Sequence, residues 1–308
     1  MFSIDTHFRF KKRIGALYAV AALVLLAMAS TDAAAHPRHA HAEESHDVEW
    51  TELSADEAKE FDTLKARVEE APHDADASLA LARFAATQAR RLDDTNLLRF
   101  AQTVLNNFND TETAPIEALL IRANVKQIDH RFGEALDDLG VVLQRQPGNP
   151  QALLSRAFIQ ATTGEAGAAA QDCAMLTPAV SVYVRETCAA RARSISGSSD
   201  YPLRRLDAML TLIEPRSAAE RAFALSVAGE IAARTGADDV AERYLRELLD
   251  DDPRAVYPRA ALAEFLIDRG RYAHARAVIG DAHTEALLLM RILAASGDDD
   301  SGANRAAE

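Results

Sequence analysis

Aromatic residues make up only 6% of this 308-residue chain, tryptophan occurs once, and there are just two cysteines. β-Branched side chains are sparse too, which argues against a sheet, while abundant alanine and leucine suit thin, closely packed helical layers. Two cysteines at positions 173 and 188 are too few and too far apart for a zinc site or a CxxC redox motif. HExxH, GxSxG, GxGxxG and a phosphate loop are all missing, so no catalytic machinery is legible and no cofactor is expected. Gly164-Glu165-Ala166-Gly167 lacks the lysine and serine that a phosphate loop needs. Positive charge is short as well: Lys126 is the only lysine after Lys65, and the formal net charge is −13. A chain this acidic repels nucleic acid and anionic lipid, which excludes both as principal partners. Long hydrophobic runs are absent but for one, Ile14 to Ala29.

That run of 16 residues follows Arg9, Lys11, Lys12 and Arg13 and precedes Ala33-Ala34-Ala35. It is short for a membrane span, which needs about 20 residues, and has the charge, apolar stretch and small-residue site of a secretory signal. Cleavage is expected after Ala35, against retention as an uncleaved anchor; no cysteine lies there for lipid attachment. The expected organisation is a signal peptide over 1–35, a His-rich linker over 36–50, a helical repeat domain over 51–296 and a polar tail over 297–308. The compartment implied is exported and oxidising, such as a periplasm, with no membrane insertion once the signal is removed.

Repeats dominate the remainder. Arg122-Ala123 returns as Arg156-Ala157, Ala135 as Ala169, Gly236 as Gly270 and Ala241 as Ala275, each after 34 residues. Each unit reads helix, turn, helix, breaker: Pro115 opens a helix through Gln127, a second runs from Phe132 to Arg145, and Pro147-Gly148-Asn149-Pro150 ends it. Proline lacks the amide hydrogen and restricts the residue before it, so the helical pattern must restart at Gln151. Ser54 with Glu57, and Ser217 with Glu220, read as capping boxes. The span from Val182 to Glu214 is a degenerate pair, 76–91 and 96–107 form an upstream pair, and Glu285 to Ser296 is a terminal cap.

These residues resemble the tetratricopeptide repeat family. Its unit carries small residues at the eighth position, here Ala123, Ala157, Gly229 and Ala263, and at the twentieth, here Ala135, Ala169, Ala241 and Ala275. Pro147, Pro215 and Pro253 match its breaker, whereas Leu119 and Leu153 replace its first-helix tryptophan. Small residues let antiparallel helices approach closely, with Leu139 and Leu245 filling the adjoining groove. The resemblance implies an all-α solenoid of stacked antiparallel helix pairs whose first helices line one concave face.

On that register the exposed first-helix positions, and hence a peptide-binding groove, are Asn124, Gln127, Gln151, Phe158, Glu230, Arg234, Tyr257, Glu264 and Asp268. The implied function is a non-enzymatic scaffold for a protein or peptide. Some relatives grip a terminal carboxylate with lysines, asparagines and an arginine; Asn124 fits one such place, but Leu120, Ser155, Val184 and Cys188 occupy others, which argues against that clamp. Cys173 and Cys188 flank a turn on consecutive helices and are placed either to form a disulfide or to remain two buried thiols. His36, His39, His41 and His46 form a weak candidate metal-binding tract, or simply a solvated linker; they carry the alternative reading of a metal-handling accessory protein. Asp250-Asp251-Asp252 and Asp298-Asp299-Asp300 lack the alternation of a calcium loop and read as solvated charges.

Overall fold

Glycine, proline and capping residues punctuate the chain close to the expected places. The computed structural model describes residues 53–306 apart from 179, 198–199 and 282–283; the expected signal peptide, its cleavage site and the histidine tract lie outside the described residues. Within them there are 14 α-helices and no strand, and consecutive helices pack in pairs, the all-α solenoid class expected. The chain divides into two compact units, 53–159 and 160–306, the division falling inside one helix.

The first unit holds α1 (Ala55–Glu70), α2 (Ala75–Leu92), α3 (Thr95–Leu105), α4 (Ile116–Ile128), α5 (Phe132–Arg145) and the start of α6 (Pro150–Thr163). The Ser54 box is complete: the Glu57 amide donates to Ser54 Oγ at 3.4 Å and the Ser54 amide donates to Glu57 Oε2 at 2.7 Å. Asp74 and Asp94 cap α2 and α3 in the same sense, each accepting two amides of the first turn that would otherwise lack partners. Leu97, Leu98, Ala101 and Leu105 form one buried stripe of α3, the 3.6-residue period expected of a helix buried on one side. Ala123 and Ala135 are 2% and 0% exposed, and Leu139 beside them is 0% exposed. The methyl groups therefore sit at the α4–α5 contact, where a longer side chain would push the helices apart.

One polar knot fastens this pair. Asp138 on α5 is buried and accepts from Arg122 Nε at 2.9 Å, Arg122 Nη2 at 2.5 Å and Lys126 Nζ at 2.7 Å, both cations coming from α4. Arg122 Nη1 also donates to the Phe108 carbonyl at 2.7 Å, tying in the 3-10 turn Asn106–Phe108. Lys126, the only lysine after Lys65, is thus part of the scaffold.

The second unit begins in the last turn of α6 and continues with α7 (Ala166–Met175), α8 (Val182–Ile195), α9 (Asp200–Leu212), α10 (Ala218–Thr235), α11 (Asp238–Asp251), α12 (Val256–Asp268), α13 (Tyr272–Ile279) and α14 (Glu285–Ala306). Ala169, Ala241, Ala263 and Ala275 are each 0% exposed. At Gly229 a β-carbon would stand 3.1 Å from Leu245 Cδ2, so glycine is what lets α11 close on α10. Turns inside the pairs use left-handed backbone: Gly236 at φ +78° and Gly270 at φ +67°, a region only glycine enters without steric cost. His130 occupies the matching turn of α4–α5 at φ +56°, with its ring edge-on to Phe132 at 5.7 Å.

Cys173 on α7 and Cys188 on α8 form a disulfide with Cα atoms 5.6 Å apart, resolving the choice the sequence left open. The degenerate pair folds as helices α8 and α9, locked by the Tyr183 hydroxyl, which donates to the Ile213 carbonyl at 2.6 Å. Two expectations are corrected. Ser217 caps α10 as expected, its Oγ accepting the Glu220 amide, but the Glu220 carboxylate accepts the amide of Arg216 instead of that of Ser217. The terminal helix does not stop at Ser296: α14 continues to Ala306, and Gly297 within it leaves room for the Tyr272 ring, which a β-carbon would meet at 2.4 Å. Among the described residues no helix is long and apolar enough to cross a membrane.

Candidate functional site

The α10, α11 and α12 helices line an open cleft of about 270 Å³. Helix α11 packs against both α10 and α12, so its Leu245 forms a floor between them. Gly229 and Ala233 of α10 and Phe265 of α12 complete that apolar surface; Leu245 and Phe265 are each 2% exposed. The rim carries Glu230 and Arg234 from α10, and Glu264, Asp268 and Arg269 from α12 and the residue after it. Residues 229, 230, 233 and 234 share one stripe of α10, and 264, 265, 268 and 269 share one stripe of α12, as positions one helical turn apart must.

Most rim charges are engaged within the protein. Arg191 of α8 pairs with Glu230 and donates to Thr162 Oγ1 at 3.4 Å. Arg234 donates to Glu230 Oε1 at 3.1 Å and to Ser194 Oγ at 2.6 Å. These bonds hold the first helices α8 and α10 together and turn Arg234 toward α8. On the other side Arg269 grips Asp238 of α11, with Nη2–Oδ1 at 2.7 Å, donates to the Ala233 carbonyl at 2.8 Å, and lies 5.0 Å from the Phe265 ring centroid. The Asp238 carboxyl is held below the usual range by that hydrogen-bonded guanidinium. Burial pushes the Tyr257 phenol up, and the nearby Glu230 carboxylate adds to it; the phenol also pairs with Ser226. Asp268, by contrast, is exposed and has no hydrogen bond or ion pair among the described residues.

Four of the nine expected groove residues, Glu230, Arg234, Glu264 and Asp268, therefore meet in one cleft, with Tyr257 in the polar network beside it. The other four lie in the first unit. There the expected exposure is corrected: Asn124 is 3% exposed, Gln127 2% and Phe158 1%, and Gln151 at the start of α6 is half-buried. Helix α4 is packed against α2, α3 and α5, so little of its circumference reaches solvent. The two amides of Asn124 and Gln127 are consequently interior groups.

Sequence reasoning missed Arg191, Phe265 and Arg269 as parts of the site. Phe265 and Arg269 each follow an expected residue by one position and share its stripe, a signal that was available. Arg191 gave none, because it lies in the degenerate pair and meets Glu230 across 39 residues, off the 34-residue register. Among the described residues no group of three or more histidine, cysteine, aspartate or glutamate side chains is placed to hold a metal.

No family model and no curated protein sequence matches the chain. Among solved structures it resembles a tetratricopeptide repeat protein from Parabacteroides merdae, with a TM-score of 0.56 and 17% identity, covering 78% of this chain and 92% of that one. Together with the paired helices and their small-residue contacts, that likeness defines the chain as a tetratricopeptide-repeat-like protein in fold.

Proposed function

We propose that this protein is an exported, non-enzymatic scaffold that binds a protein or peptide partner along the first-helix faces of its units, with the α10–α12 cleft as one contact point. The observation that carries this reading is the convergence of four register-derived positions around one apolar-floored cleft. A rigid rim already held by Arg191, Arg234 and Arg269 lowers the ordering cost of binding, so several shallow contacts add up to useful affinity. The acidic balance of the chain favours a protein or peptide over nucleic acid. Export is supported by the Cys173–Cys188 disulfide, which persists in oxidising compartments, and by the apolar run 14–29 behind a basic cluster.

Selection of peptides from a displayed random library on the full chain tests the reading. Ala233→Trp fills the cleft from α10, and peptides selected on the wild type should lose about tenfold or more in affinity for it, the equivalent of one good contact. Unaltered helicity by circular dichroism serves as the control for folding. Failure to select any binder, or full binding to Ala233→Trp, would overturn the assignment of this cleft.

A further inference from the structure

The charges around the cleft leave one sign unspent. Arg234 is turned toward α8 by Glu230 and Ser194, and Arg269 is held by both oxygens of Asp238. Neither guanidinium is available to an incoming anion without breaking an existing pair. Asp268 has no such partner among the described residues, stands exposed at the C-terminal end of α12, and lies one turn from a second rim carboxylate, Glu264. It also sits at the C-terminal, negative end of the α12 helix dipole. Inward from these carboxylates the lining is Leu245, Phe265, Ala233 and Gly229, on which Leu245 packs.

Resting on the function proposed above, we infer that the α10–α12 cleft is a subsite for a basic side chain of the partner, lysine or arginine, its methylene stem on Leu245 and Phe265 and its cation at Asp268. Such side chains are the ones that cover apolar surface with the stem while keeping the charged head at the water boundary. An acidic side chain would meet two carboxylates, and a short apolar one would fill the floor but leave Asp268 unanswered. Arginine offers a planar fork to the Asp268 carboxylate, whereas lysine offers a single ammonium; the cation on an aliphatic stem is common to both.

The test uses the full chain with its leucine methyl groups labelled with carbon-13, titrated with the amides of Nα-acetyl-arginine, Nα-acetyl-lysine and Nα-acetyl-norleucine. The basic amides should shift the Leu245 methyl signals and saturate at roughly three- to fivefold lower concentration than norleucine amide, the size of a half-exposed ion pair. Asp268→Asn, a substitution at an exposed position, should erase that preference and leave norleucine amide unaffected. Equal saturation by norleucine amide, no response at Leu245 to any amide, or a preference that survives Asp268→Asn would each overturn the inference. The underlying function fails separately: library-selected peptides that bind wild type, lose affinity on Ala233→Trp and contain no basic residue would retain the scaffold reading and remove the basic subsite.

Discussion

Replacing Asp138 by alanine removes the one carboxylate that faces two cations between α4 and α5. Its side chain is 3% exposed, against 12% for Arg122 and 15% for Lys126. Exposed ion pairs contribute little because water screens them, but removing one partner of a buried pair leaves a desolvated charge behind, at a cost of about 3 to 5 kcal/mol. Arg122 keeps its bonds to the Phe108 carbonyl and to Thr111 Oγ1 at 2.8 Å, which softens the loss. The lower end, about 3 kcal/mol, is therefore expected. Asp138→Asn retains one acceptor and should cost less. Urea denaturation followed by far-UV circular dichroism measures the change, and amide exchange should localise the loss to α4 and α5, since repeat units lean mainly on their neighbours. The triple variant Asp138→Leu, Arg122→Met, Lys126→Met removes all three charges together and should recover to within about 1 kcal/mol of wild type. A cost for Asp138→Ala below about 1 kcal/mol, as for a surface pair, would refute the reasoning. A triple variant as unstable as the single one would do the same.

Ala135→Arg should destabilise by more than about 1 to 3 kcal/mol in the same denaturation assay, because it overpacks a fully buried helix contact; an exposed control, Arg246→Ala, should change little. Reducing the Cys173–Cys188 bond, or replacing both residues by serine, should cost roughly 3 kcal/mol from the loop it closes, and alkylation without reductant should modify neither cysteine of the native chain. The Arg271 guanidinium hydrogen-bonded to Glu242, with help from Arg246, holds that carboxyl below its usual range. A depressed folded value means the stabilisation is present above the unfolded carboxyl pKa, about 4.3, and is lost as pH falls through the folded one. Glu242→Gln should therefore be about 0.5 kcal/mol less stable than wild type at neutral pH, with the gap closing in acid; a gap that widens on acidification would contradict the assignment.

Local chemistry alone determined the helical pairs, their turns and their closest contacts. Proline at 147 keeps α5 from continuing through a missing donor and a restricted neighbour, Pro150 opens α6, and the alanines at 123, 135, 169, 241 and 275 recur because only a methyl group fits between paired helices. Such constraints act within a few residues or within one repeat, so they leave a period in the sequence. The cleft and its charges were decided elsewhere. Whether Asn124 and Gln127 reach solvent depends on how many helices surround α4, and whether Glu230 is available depends on Arg191, which arrives from an irregular pair. Burial and ion pairing between helices distant along the chain carry no periodic mark, so the interior amides of α4, the disulfide bond itself and the unanswered carboxylate of Asp268 became visible only in the tertiary structure.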